Sequence, residues 1–300
     1  MRRNVKLITL IGAAYILTAT FWLGVSISHA QDEIVGDVVR GGQLYEAWDR
    51  VLGVDLPGSS QAIWQEIAPQ GSDIEPRSWR CVTCHGWDYR GADGWAPRAV
   101  VNQAGIPGLF SMVAEPQAVI IGWLDGSENP EHDFSEYLSE TEFNDLSAFL
   151  SSGLVAPELI ADLETQRVPG TVDTGEEIYL EYCLSCHGAD GSKINFGGAA
   201  EPLYLADITL RNPWRVAHVV RFGHLGINMP PAAEIELGFG LQLDLLAYAQ
   251  TLPQASMIGS PEYPVIVYDT QAHTELLAYA SIVLVVIVLG GAIWVLKRKA

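Results

Sequence analysis

Cys183-Leu184-Ser185-Cys186-His187-Gly188 has a twin earlier in the chain, Cys81-Val82-Thr83-Cys84-His85-Gly86. C-x-x-C-H is the attachment sequence of a c-type haem. The two cysteines form thioether bonds to the haem vinyl groups, and the adjacent histidine becomes the proximal ligand of the iron. Two intervening residues let one helical turn present both sulfurs to a planar ring and the histidine to its metal. The chain has only four cysteines, so the two motifs account for every thiol. The expectation is two covalently attached haem c groups. Cys81 and Cys84 would hold one and Cys183 and Cys186 the other, with His85 and His187 on the irons.

Two other chemistries use the same residue types. Structural zinc ligand pairs usually lie roughly 12–20 residues apart, whereas Cys84 and Cys183 are separated by 99 positions and a histidine follows both pairs. A redox-active C-x-x-C disulfide belongs in a βαβ setting, and neither motif has one around it.

The termini point to export and tethering. Arg2, Arg3 and Lys6 precede an apolar run, Leu7 to Ile27, that ends in Ser28-His29-Ala30. This is the pattern of a secretory signal peptide over residues 1–30, cut before Gln31, although a run this long also suits an uncleaved anchor. A second run, Leu276 to Leu296, carries no charge and is long enough to cross a bilayer. Lys297, Arg298 and Lys299 follow it in the 297–300 tail, which the positive-inside rule leaves in the cytoplasm. The expected topology is single-pass, with the body on the periplasmic side of a bacterial inner membrane and the C-terminus cytoplasmic.

Charge divides along the same lines. The chain carries a net −19, yet residues 31–275 hold all thirty-six acids against eleven basic residues. A body this acidic is a poor partner for nucleic acid. It suits a redox protein with a basic docking surface, drawn in by long-range steering, though acidity also serves solubility alone.

An internal repeat runs through the body. Gly41 and Tyr45 lie four apart in a stretch that reads as an amphipathic helix, and Gly175 and Tyr179 repeat the spacing just before the second haem motif. Each motif is later followed by a closing helix, around Asp145–Leu150 in the first half and Asp244–Ala249 in the second. Glycine and an aromatic on the opening helix, with an aromatic on the closing one, suit two helices crossing closely over a haem edge. The pattern resembles the class I cytochrome c fold, twice. The resemblance implies an all-α protein of two tandem cytochrome c-like domains, 31–155 and 171–255. A linker with a short helix (156–170) would join them, and a second linker (256–275) would lead to the transmembrane helix (276–296).

The halves differ. In the second, the opening helix runs straight into Cys183. In the first, Val51 to Arg80 intervenes, a loop long enough to carry function, in which Trp64 and Trp79 either cover a haem edge or pack ordinarily. The resemblance also implies a proline carbonyl accepting each proximal histidine's Nδ1–H, with Pro202 the better match for His187 and Pro107 a weaker one for His85.

Distal ligands separate the halves further. Met229, in Asn228-Met229-Pro230-Pro231, lies 42 residues beyond His187, where the family places its axial methionine. The first half has no Met-Pro. His132 lies 47 residues beyond His85 and thirteen before Asp145, close to the position of Met229 relative to Asp244. Met112 is the alternative, and an open iron the third possibility. His218 and His224 read as structural or propionate neighbours.

Three functions fit these features. The first is a membrane-tethered dihaem cytochrome c carrying single electrons between a membrane redox complex and a periplasmic partner. The second is a dihaem oxidoreductase, peroxidase-like or sulfur-compound-oxidising, whose first haem is the catalytic site. The third is a docking haem subunit of a membrane respiratory complex. The distal residues favour an electron-transfer protein over a catalyst, and no catalytic residue is assigned.

Overall fold

The computed structural model describes residues 34–67, 76–95, 104–224 and 229–263. The residues read as a signal peptide, the run expected to cross the membrane and the basic tail after it lie outside the described residues. Chain contacts separate the segment up to Val35 from the body that begins at Gly36, and every described helix belongs to the body. Among the described residues the regular structure is helical, with two isolated β-bridges and no strand. None of the described helices is long and apolar enough to cross a membrane.

Opening helix α1 (Val38–Leu52) starts where the Asp37 carboxylate accepts the amides of Val39 and Arg40, and stops where Gly53 turns left-handed. The inserted segment contains α2 (Ala62–Ile67) and a 3₁₀ turn, Arg77–Trp79. Arg80 then binds the Asp49 carboxylate through two hydrogen bonds, 2.8 and 2.6 Å, fixing α3 (Cys81–His85) against α1. Helix α4 (Gln117–Leu124) and closing helix α5 (Glu140–Ala148) complete the first half; α5 opens with a Ser139–Glu142 capping box. The second half holds α6 (Pro157–Ile160), opening helix α7 (Val172–Ile178), α8 (Leu184–His187), α9 (Leu205–Arg211), α10 (Pro213–Phe222) and closing helix α11 (Phe239–Ala249). Asn212 caps α10 and Pro213 takes its first position.

The repeat is physical. A Cβ on Gly41 would sit 2.0 Å from the Asp145 carbonyl oxygen, and a Cβ on Gly175 would sit 2.0 Å from that of Asp244. Opening and closing helices therefore touch backbone to backbone in both halves, which only glycine permits. The carboxylates of the same two aspartates accept the amides of Asp37 (2.7 Å) and Thr171 (2.6 Å), each just ahead of its opening helix.

Each half has its own apolar core, yet the two interlock. Val216, Val219 and Val220 of α10 face the second half's cavity, while Phe222 packs in the first half's core. Its ring fills the space where a Cβ on Gly42 would go. His218, on that same side of α10, accepts from the Tyr89 hydroxyl at Nδ1 (2.7 Å) and donates from Nε2 to the Gly42 carbonyl (3.0 Å). The segment 156–170, expected as a linker, does contain a short helix, but its Ile160, Ala161 and Val168 are buried in the second core. Their apolar side chains draw it in, so it is not a free tether.

Candidate haem sites

In both halves a tyrosine in the opening helix or directly at its end is tied to the residue after the C-x-x-C-H motif. Tyr45 donates its hydroxyl to the Gly86 carbonyl (2.5 Å), and Tyr179 donates to that of Gly188 (2.6 Å). Gly86 and Gly188 both adopt positive φ, +78° and +82°, which ends the one-turn helix at once and releases the chain behind the histidine. The sequence shows the tyrosine spacing but not this bond.

In the first half, His85 and His132 face each other, with ring centroids 6.4 Å apart and planes at 83°. A metal–imidazole bond is about 2 Å long and a centroid lies about 1 Å behind its nitrogen, so two rings sharing one ion stand roughly 6 Å apart. Each ring is oriented by a backbone carbonyl. His85 Nδ1 meets Pro107 O at 3.0 Å, and His132 Nδ1 meets Trp123 O at 2.7 Å, which leaves Nε2 as the ligating nitrogen of each ring. The turn Pro130–His132 is placed by folding back on the end of α4, with the Phe134 amide donating to Leu124 O (3.0 Å). Burial, then the charge of His132, pushes the His85 imidazole down to about 4, and burial lowers His132 as well. Both rings are neutral at physiological pH, the form that ligates iron. Met112, in the 3₁₀ turn Phe110–Ala114, packs against the first core.

In the second half, Cys183, His187 and Met229 line one cavity of about 120 Å³ that opens to solvent. Its other walls are almost entirely apolar, among them Phe196, Leu205 and Leu246. A mouth-open apolar slot with a thiol, an imidazole and a thioether converging on it matches the donor set of a covalent haem. Cys186, the second thiol of the motif, is exposed on the same one-turn helix. Met229 is held by the His224 amide, which donates to Met229 O at 3.1 Å. The His224 ring also lines the cavity, with Nδ1 2.8 Å from the Glu46 carboxylate of the first half but not aligned as a hydrogen bond. His218 has both nitrogens engaged between the halves and faces neither site as a ligand.

The proline expectation reverses. Pro107, the weaker match, accepts from His85, whereas His187 Nδ1 is buried without a partner among the described residues. The segment around Pro202 is occupied elsewhere. Leu203 O accepts the Phe196 amide at 2.8 Å, its own amide donates to the Asn195 side chain at 3.0 Å, and the Phe196 ring stacks on His187.

Burial pushes the Cys81 thiol up to about 12 and Cys183 to about 11, so both are neutral thiols beside apolar walls. Among the described residues, no three His, Cys, Asp or Glu side chains converge as a metal site of their own. The cysteines are not paired with each other. What these residues fit is a flat apolar macrocycle that brings its own iron.

Residues 170–237 match the family model described as cytochrome C oxidase, cbb3-type, subunit III. The match spans α7 through α10 and takes in Cys183, Cys186, His187 and Met229. The chain carries a c-type cytochrome domain. Covalently bound haem c and haem-based electron transfer follow for that domain. No curated protein matches the chain.

Proposed function

We propose that the protein is a membrane-tethered dihaem cytochrome c that carries single electrons between a membrane redox complex and a periplasmic partner. Haem c supplies reversible one-electron chemistry, and the chain sets what each iron sees. Cys81 and Cys84 attach the first haem and Cys183 and Cys186 the second, in domains 31–155 and 171–255. His85 and His132 ligate the first iron; His187 and Met229 ligate the second.

The observation that carries this reading is the facing pair His85 and His132, each ring anchored by a carbonyl. An iron held on both sides has no open position for peroxide or another substrate, so the pair favours a carrier over a catalyst. The tether rests on the apolar run Leu276 to Leu296 and the basic residues after it. The acidic body favours a partner with a basic docking face. The family match supports a second reading, in which the protein is a haem subunit docked within a membrane respiratory complex.

Electron paramagnetic resonance of the resting, membrane-extracted protein tests the proposal. Two low-spin ferric species are expected, one of bis-histidine and one of histidine–methionine type, with no binding of carbon monoxide after reduction. A high-spin species at the first haem, or ready carbon monoxide binding there, turns the assignment toward the enzyme.

A further inference from the structure

The two proximal histidines are held by different means. His85 is oriented by a carbonyl, its Nδ1 meeting Pro107 O at 3.0 Å, and so is His132 opposite it, with Trp123 O at 2.7 Å. His187 Nδ1 is buried and has no hydrogen-bond partner among the described residues. Its ring instead lies against Phe196, with centroids 6.1 Å apart and planes at 25°, and both residues line the second cavity. Ring pairs attract at centroid separations of about 4.5–7 Å.

The loop that carries Phe196 keeps its polar groups to itself and presents a ring. The Asn195 side chain accepts the amides of Gly197 (2.9 Å) and Leu203 (3.0 Å) and donates to Gly198 O (3.2 Å). The Phe196 amide donates to Leu203 O at 2.8 Å, which closes the loop on itself. Lys193, the one lysine of residues 31–275, donates from its amide to His187 O (3.1 Å) and from Nζ to Ser185 O (2.6 Å). The lysine bonds fix the backbone of α8, and the stacking contact acts on the imidazole itself.

We infer that Phe196 is a positioning residue for the second haem: its ring, in place of a backbone carbonyl, sets the plane of the His187 imidazole. This rests on the dihaem reading, with His187 and Met229 on the second iron. An Nδ1–H bonded to a carbonyl makes an imidazole the stronger electron donor and so favours ferric iron. His187, with that proton unbonded, is the weaker donor of the two proximal ligands. Its effect adds to that of the Met229 thioether, and both place the second midpoint potential above the first.

The test is nuclear magnetic resonance of the full-length dihaem protein, with isotopically labelled histidine, and of its Phe196→Leu and Phe196→Tyr variants. In the reduced, diamagnetic protein the His187 Nδ1–H proton is expected upfield of those of His85 and His132, which carry hydrogen bonds. A downfield, hydrogen-bonded shift for His187 overturns the unbonded donor. In the oxidised protein the hyperfine-shifted methyl resonances of the second haem report the plane of its axial imidazole. Phe196→Leu is expected to change their order and spread and to leave those of the first haem in place. Phe196→Tyr, which keeps a ring there, should retain the wild-type pattern. If Phe196→Leu fails to load its second haem, Asn195→Ala, which unties the loop behind the ring, decides in the same way. An unchanged pattern in the loaded variant overturns the positioning role while leaving the dihaem reading intact. A wild-type protein whose second haem is absent or high-spin removes the reading itself.

Discussion

Tyr45 and Gly86 are joined by a hydrogen bond that crosses 41 residues of chain, and Tyr179 and Gly188 repeat it across nine. The insertion stretches the sequence distance in the first half without moving the contact. Both tyrosines are essentially fully buried, so removing a hydroxyl leaves a carbonyl with one acceptor site unmet. Tyr45→Phe and Tyr179→Phe are each expected to cost about 1–2 kcal/mol in denaturant unfolding followed by the Soret band, with both haems still attached.

The two glycine contacts make a sharper comparison. Gly41→Ala and Gly175→Ala push a methyl into an opposing carbonyl and should each destabilise by about 1–3 kcal/mol. Gly240, near the start of α11, has nothing within 4 Å of its would-be Cβ. Gly240→Ala should be neutral or stabilise by up to about 1 kcal/mol. Equal losses at all three positions would refute the helix crossing as the cause.

Ligand substitutions address each iron separately. His132→Ala is expected to let the reduced first haem bind carbon monoxide and to leave the second redox step in place. Met229→Ala should open the second haem instead and lower its potential, since thioether ligation raises it. Met112→Ala should change neither spectrum. Carbon monoxide difference spectra and a redox titration of each variant decide this.

His218 makes the contact between the halves sensitive to acid. Burial holds its folded pKa down to about 4, below the 6.5 of an exposed histidine. The unfolded chain therefore takes up the proton first as pH falls. The stabilisation is complete above about pH 6.5, declines as pH drops from there, and is gone near pH 4. Its size is on the order of 3 kcal/mol. Unfolding free energy measured from pH 7 to 4 should fall less steeply in His218→Phe than in the wild type. Parallel curves would assign the acid loss to other groups.

Much of this architecture is legible in the sequence because it depends on spacing. Gly41 and Tyr45, Gly175 and Tyr179, and the aspartates of the closing helices mark the helix crossings by period alone. Asn212-Pro213 declares the start of α10. The offset of His132 from Asp145 is enough to put it opposite His85. Features set by tertiary partners are not readable in this way. Nothing local distinguishes Pro107 from Pro202 as an acceptor, because the difference lies in what Asn195, Phe196 and Leu203 bind. The burial of Ile160 and Val168 depends on a core assembled from distant helices. The burial of Gln61 and Trp64 likewise emerges only from how α2 packs in the folded chain.

Helix α10 has one face in the second half's cavity and, through His218 and Phe222, the other in the first half's core. The unit that repeats in the sequence is therefore smaller than the unit that folds. The first half excised at residue 155 or 171 would lose both Phe222 from above Gly42 and the imidazole that Tyr89 binds, exposing apolar surface where the break was made. The two halves are expected to melt together in one transition, and recombination that exchanged a single half would have to exchange α10's outer face with it.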